Sequence, residues 1–573
     1  MSAVKTTLAV ARSPAGSRDS QPDWPSAGSL ATAAERASFG KAARGLVPRE
    51  SHAALELAFD RPDPVELLEM QARTRLPDLV PVRYGRMLVS PSAYFRGTSL
   101  PMASDLAATP VTGFTVQACG DAQLGNFGVF AAPEGRLVFD INDFDETLPG
   151  PWEWDVKRLA ASIEVAGREN GFDVRQRRKL VLTAVSRYRE AMLAFARMTP
   201  LDVRYARLDL GEIHEELKSA ANGKLRKAVG QGMISARTRD SLQALDKLTA
   251  VVDGRRQIVA DPPLIVPVGD LTAGEDAAEG AGWSEPAIGD LLGAYRRALR
   301  EDSAGLLASY ELGSLARKVV GVSSVGMRCW IVLMLDSNDS DPLFLQVKEA
   351  EPSVLSEFAG PSQYDNQAQR VVVGQRFIQA APDIFLGWVR AAAGTDGRRH
   401  DYYVRQLRDW KLSADLGGLS PGRLRRFAGC CGWTLARAHA RTGDRFAMAG
   451  YLGTSVVFDE AIADFAASYA NQNERDYAEL GRAAKSGRIT ARKGLLLSGS
   501  RLASGPSRPH ETADSTSRHP RPRLYQPPAG PGERRKVDAA HISRFRYRHI
   551  VMKGAPKRTR AVKSRGRDVA KAA

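Results

Sequence analysis

Cysteine is nearly absent from this sequence: 573 residues hold four, Cys119, Cys329, Cys430 and Cys431. No CxxC pair occurs, which excludes a disulfide framework and a cysteine zinc site and makes a reducing cytoplasm the expected compartment. Long apolar runs are missing too. Nothing approaches the roughly 20 residues of a membrane span, and the longest candidate, Trp330 to Leu335, stops at Asp336. The first twenty residues contain no apolar stretch of the kind that marks a secretory signal. Histidine is sparse and shows no metal-ligand spacing; His439, alone in ARAHA, reads as a structural residue.

What is present is ordinary globular material, 43% hydrophobic and 25% charged. That balance excludes wholesale disorder and fibrous repeats, and the length fits roughly three to four domains or one two-lobed body with extensions. The net charge of +16 is misleading as a guide to the body. From Ser486 onward Lys and Arg outnumber Asp and Glu by 22 to 5, so residues 1–485 are close to neutral. The basic surplus belongs to the carboxyl-terminal tail. There HISRFRYRHIVMKG interleaves Arg544, Arg546 and Arg548 with Phe545 and Tyr547, a pattern that can pair with phosphates and stack on bases. A basic disordered tail without a specific partner is the competing reading.

Along the chain, residues 1–54 are rich in Ala, Ser, Gly, Pro and Arg and read as a mobile leader. Helical spacing begins at Asp63, and strand-like runs follow in FTVQACGD, FGVF and RLVFDIND. A long helical stretch is expected from Trp154 to about Thr249, then a loop-rich segment over 250–285. A second strand region spans Ala316 to Leu407, with a hinge expected between Phe385 and Lys411, and helices return from Pro421 to Lys485. The organisation expected is therefore 1–54 leader, 55–310 helical region, 311–415 strand region, 416–485 returning helices and 486–573 disordered tail.

The densest chemistry lies in CGDAQLGNFGVFAAPEGRLVFDINDFDE, from Cys119 to Glu146. It reads as strand, polar loop and a hairpin turned at Pro133-Glu134-Gly135. Asp121 and Asn126 fall on the loop and Asp140 at the end of the second hairpin strand. Oxygen ligands of this kind suit Mg²⁺, and phosphoryl transfer needs one carboxylate to orient the acceptor and an Asn/Asp pair for the metal. An acidic turn at a strand end, solvated or capping a helix, is the plainer alternative. A calcium EF-hand is disfavoured because Phe144 stands at the third ligand position.

GDAQLGNFG with FDINDFDE resembles the catalytic loop and metal-binding strand of aminoglycoside and choline kinases, within the protein-kinase-like superfamily. Asp155 in WEWDVKRLA matches a further aspartate of those families. The sequence departs from their pattern at Cys119 and Gln123. More broadly, residues from about Arg61 to Lys485 resemble the family called domain of unknown function 2252, through RYGRMLVSPSAYFRGT, GDAQLGNFG, FDINDFDETLPGPWEWDVKRLAAS, VVGVSSVGMRCWIVL, FLQVKEA, GQRFIQAAPDIFLGW, YYVRQLRDWK and ARAHARTGD.

The kinase resemblance implies a phosphate-covering loop and a lysine. The first 120 residues contain only Lys5 and Lys41, so neither lies there. GVSSVG, with Gly321, Ser323, Ser324 and Gly326, resembles the loop, and Lys348 in FLQVKEA the lysine, although both follow the catalytic loop instead of preceding it. The expected fold is thus α+β, a two-lobed protein-kinase-like fold with circularly permuted connectivity. Asp121 would orient the acceptor, Asn126 and Asp140 hold Mg²⁺, and Lys348 grip the phosphates of ATP. Asp143, Asp155, Arg96 and Glu357 would support them, Glu357 as the nearest acidic candidate to partner the lysine. The implied activity is ATP- and Mg²⁺-dependent transfer to a small hydroxyl- or amine-bearing molecule. A nucleotide-binding pseudokinase and a nucleic-acid-associated protein working through its tail are the alternatives; no membrane partner is expected.

Overall fold

The computed structural model describes residues 31–209, 248–252, 254–273, 285–338, 341–391, 398–407 and 416–494. The first helix, α1 (Ala33–Ala42), starts at a Thr32–Glu35 capping box, and a short turn at Arg49–Ala53 follows. Four helices come next: α2 (Pro64–Ala72), α3 (Val80–Met87), α4 (Pro91–Arg96) and α5 (Ser99–Ala107). Asp63 caps α2 by accepting from the Val65 N–H at 2.9 Å, and Pro64 costs nothing at the first turn, where no intrahelical N–H bond is due.

Strand β1 (Thr115–Ala118) pairs antiparallel with β4 (Leu148–Pro151), while β2 (Phe127–Ala131) and β3 (Leu137–Ile141) form the hairpin between them. Helix α6 (Trp152–Glu169) is buried along nearly its whole length, because α7 (Val174–Phe195) and helices from both ends of the chain surround it. A two-residue strand, β5 (Leu208–Asp209), extends the hairpin sheet.

The second region is a six-stranded antiparallel sheet. After the hairpin β6 (Thr249–Val252) and β7 (Arg255–Ile258) come β8 (Ile265–Pro267), helix α8 (Glu285–Ala298), β9 (Glu311–Lys318), β10 (Cys329–Leu335) and β11 (Leu343–Glu349). Helix α9 (Gln367–Ile378) leads to β12 (Gly387–Arg390) and β13 (Asp401–Gln406), and the strand order is β12-β13-β11-β10-β9-β8. Period-two alternation sorts the faces. Trp330, Val332, Leu343, Leu345, Val347 and Val404 pack with Ile288 and Tyr295 of the α8 layer, while Ile331, Leu333 and Phe344 form a separate cluster on the other side. On β11, Gln346 and Lys348 therefore share the face opposite α8.

The chain closes with α10 (Pro421–Thr442), α11 (Arg445–Leu452) and α12 (Val457–Lys485), which return to α6 and α7. No helix among the described residues is long and apolar enough to cross a membrane.

Three boundaries differ from the sequence expectation. The leader is structured over 33–53, since α1 packs on α11 and His52 is fully buried against Tyr451 and Phe458. Residues 486–494 belong to the body: Ile489 is buried with Val65 and Leu480, and Arg488 pairs with Asp63 and Glu69. The strand region begins before 311, because β8 is hydrogen-bonded to β9 and the segment read as loop-rich contains β6, β7 and β8. The helical reading to Thr249 holds through α7; residues 210–247 lie outside the described residues, as do 1–30, the end of the expected hinge at 408–415 and the tail from 495.

Candidate functional site

The Cys119–Asn126 loop hangs on a buried carboxylate. Asp155, in the first turn of α6, accepts from the backbone N–H groups of Cys119 (2.8 Å) and Gly120 (3.0 Å) and from the Cys119 thiol (3.3 Å). His439 of α10 contacts the same carboxylate through Nε2 at 3.1 Å and Tyr188 through Nδ1 at 2.8 Å. Gly120 has φ +79°, and a Cβ there would stand 2.3 Å from the Glu146 carbonyl oxygen, so only glycine lets loop and acidic turn approach so closely. Asp121 is 7% exposed and fully engaged. Arg158 Nε donates to Oδ1 at 2.8 Å, and the side-chain amides of Asn126 (3.0 Å) and Gln123 (3.1 Å) donate to Oδ2.

Asp140 corrects the sequence reading. It is 1% exposed and pairs with Arg437 Nη2 at 2.5 Å, and it also accepts from the N–H groups of Ala380 and Ile141. Burial pushes its carboxyl above the ordinary range, against the pull of Arg437 and those two donors. It ties α10 to the hairpin and does not line the cleft. The turn just after it does: Asp143 lines the cleft, and Asp145 meets the lysine.

That lysine is Lys348, 3% exposed, on the inner face of β11 beside Tyr403 of β13. Burial would lower its pKa, but the ion pair with Asp145 overrides that and raises it. For Asp145 the same balance runs the other way: burial raises, while Lys348 and the hydroxyl of Tyr403 (2.7 Å) pull it below the usual carboxylate range. Glu146, buried next to these acids and accepting from the Val354 N–H, is pushed up to about 7, chiefly by burial.

Above the acids lies the 321–326 loop. The Gly321, Val325 and Gly326 carbonyls are taken by Arg86 (2.7 Å), Arg75 (2.6 Å) and the Leu76 N–H (2.8 Å), which fixes the loop against α3 and the segment before it. The N–H groups of Gly321, Val322, Ser323 and Ser324 have no protein partner among the described residues. The result is one cleft of about 350 Å³ lined by Asn126, Asp143, Lys348, Gly321, Ser323, Ser324 and Arg96. Arg96 Nε is buried without a partner among the described residues. Arg86, Lys318 and Arg405 add positive charge, and Val319, Val322, Leu264 and Leu407 form an apolar part of the wall. Asp121 opens on an adjoining cavity of about 40 Å³, which also touches Asp143, Asp145, Glu146 and Ser323.

Asp121, Asn126, Asp143, Lys348, Gly321, Ser323, Ser324 and Arg96 are thus brought together, with Asp155 behind them. Glu357 is not: it is exposed, on the four-residue helix Ser356–Ala359. Gly326 packs on Arg75 and faces away from the cleft. Sequence reasoning missed Asp145, Tyr403, Arg158 and Arg370. The signal for Asp145 was available in NDFDE, where it stands two places after Asp143 and, in an extended turn, reaches the same side. No group of three His, Cys, Asp or Glu side chains among the described residues is arranged to hold a metal ion.

With this geometry in place, comparison with known families is informative. The family model described as an uncharacterized protein conserved in bacteria, DUF2252, matches residues 75–483. The chain belongs to DUF2252. The match begins at Arg75, which props the 321–326 loop, and runs into α12, so it encloses every residue lining the cleft. No curated protein and no solved structure matches the chain.

Proposed function

We propose that the cleft binds ATP with Mg²⁺ and transfers a phosphoryl group to a small hydroxyl- or amine-bearing acceptor. One observation carries this reading: Lys348 and the Asn126–Asp143 pair, more than 200 positions apart in sequence, line a single cleft under the Gly321–Ser324 loop. The donors suit a polyphosphate. Four residues whose backbone N–H groups have no protein partner among the described residues, Arg96 with its unpartnered Nε, and Lys348 all line the cleft. Mg²⁺ commonly takes only one or two protein carboxyl or amide oxygens and fills its shell with phosphate and water, which Asn126 and Asp143 satisfy without a three-acid cage.

The reading carries with it a circularly permuted, protein-kinase-like order of elements. Taken from β9, the chain supplies loop, lysine strand, helix α9, two strands and α10. The end of α10 then lies against β1, where the Thr442 hydroxyl accepts from the Gln117 N–H at 3.2 Å. The catalytic loop follows at once. When bound, Mg-ATP supplies the phosphoryl group; the chain's own part is placement. Lys348 and Arg96 would hold phosphate oxygens, Asp143 and Asn126 would hold the metal, and Asp121, held by Arg158, would accept a hydrogen bond from the acceptor.

One feature favours a second reading, a nucleotide-binding module without transfer: both Asp121 oxygens already have protein partners. Thermal unfolding with ATP, with and without Mg²⁺, followed by a metabolite screen with labelled ATP, tests both. We expect Mg-ATP to raise the melting temperature, and Asp143→Asn to weaken that binding at least about tenfold through loss of a metal carboxylate. Asp140→Asn should lower stability and leave the Mg²⁺ dependence in place. No shift at millimolar Mg-ATP in folded protein contradicts the nucleotide site; a shift without label transfer selects the second reading.

A further inference from the structure

Resting on that nucleotide reading, we propose that Asp145 is the residue that positions Lys348, a task that the helix packed beside the strand of its neighbour Tyr403 has no carboxylate to perform. Helix α9 packs beside β12 and β13, but its sequence, QAQRVVVGQRFI, contains two arginines and no acid. The charges are therefore exchanged. Arg370 of α9, 2% exposed, donates to the carbonyl oxygens of Asp145 (2.9 Å), Thr147 (2.7 Å) and Glu351 (2.8 Å) and so clamps the acidic turn from behind. The turn in turn presents the carboxylate to the lysine.

Three elements converge on that side chain and a fourth on its backbone carbonyl. Oδ2 meets Lys348 Nζ of β11 and accepts from the Ser324 hydroxyl of the covering loop at 3.4 Å; Oδ1 accepts from Tyr403 of β13; and the peptide carbonyl is held by α9. The acid adjacent to the lysine in sequence is committed elsewhere. Glu349, the next residue on β11, points to the opposite face, where it meets His400 Nδ1 at 2.7 Å and Arg328. Asp143 and Arg405 also act on Lys348, one raising its pKa and the other lowering it. Asp145 therefore sets where the ammonium stands in the cleft, and Ser324 reports on the same carboxylate from the loop.

The test uses the full chain and an amine-acylating ester at pH 8, with labelling of each lysine read by mass spectrometry. Wild-type Lys348 should label slowly. Asp145→Asn removes the ion-pair partner that holds the ammonium and should raise its labelling rate at least about tenfold. Asp145→Glu should restore slow labelling. Lys157, fully buried in α6, must stay unlabelled as the sign of an intact fold. An unchanged Lys348 rate in folded Asp145→Asn overturns the proposal. If Asp145→Asn alone unfolds, the double variant with Lys348→Met should fold, since both charges are then gone; a double variant no more stable than the single one overturns it equally. Protection of wild-type Lys348 by Mg-ATP is the separate arm: its absence counts against the nucleotide site and leaves the Asp145 result standing.

Discussion

Lys157 shows how far burial can outrun pairing at a single residue. It lies in α6 with no exposed surface, its Nζ has no hydrogen-bond partner among the described residues, and it stands 4.9 Å from the centre of the Phe465 ring. Burial pulls its pKa down to about 8, although Glu153 one turn earlier pulls the other way. Glu153, whose Oε1 accepts from Thr112, is itself pushed up to about 7 by burial. Below pH 8 the native state must hold a desolvated ammonium that the unfolded chain solvates freely. Lys157→Met should therefore stabilise the protein by about 1–3 kcal/mol at pH 7. Between about 8 and 10.5 the unfolded chain keeps a proton that the native state has released, so wild-type stability rises with pH in that window and the advantage of the variant shrinks. Urea unfolding at pH 7 and pH 10 checks both the sign and the trend; an equal difference at the two pH values contradicts it.

At the scale of elements, the α1–α11 pair explains why the leader was misread. The two helices cross at small residues: a Cβ on Gly40 would lie 1.9 Å from the Ala447 carbonyl oxygen, and one on Gly450 2.1 Å from that of Ala37. Arg44 and Arg49 then donate to the carbonyls of Tyr451 (2.7 Å) and Leu452 (2.8 Å), closing the end of α11, where the helix dipole favours positive charge. Neither close backbone approach nor arginine capping leaves a hydrophobic stripe, and the stretch looks like low-complexity leader for that reason. Gly40→Leu should force the helices apart, cost about 2–4 kcal/mol and open residues 33–53 to limited proteolysis. Lys41→Ala, beside it, should change stability by less than about 0.5 kcal/mol. Equal stability and equal protease resistance in the two variants would show that the crossing is not needed.

For the whole molecule, the net charge of +16 divides unevenly between body and tail. Within the nearly neutral body, Arg86, Arg96, Lys318, Lys348 and Arg405 bring positive charge to the cleft. Any non-specific nucleic-acid binding should therefore belong to the tail and fall steeply with salt as counterions are released. Fluorescence anisotropy with a short duplex, for the full chain and for a chain ending at residue 494, should show binding only in the first. Binding retained by the shorter chain would move that function to the cleft face.

The sequence alone determined the pieces that depend on local pattern. The strand-like run FLQVKEA put Lys348 on a strand, GDAQLGNFG formed the polar loop, and Asp155 at the start of α6 lay where it could support that loop. The nearly neutral body and basic tail were also plain from composition. Tertiary structure decided which acid meets which cation. Asp140 and Asp143 are three positions apart and chemically identical, and only packing sends one to Arg437 and the other into the cleft. Asp145 and Lys348 are likewise joined by the approach of β11 to the acidic turn across about 200 residues of chain. Long-range charge pairing leaves no periodic trace in a sequence, because it is set by the direction in which folded elements point their side chains, and that direction exists only once the core has closed.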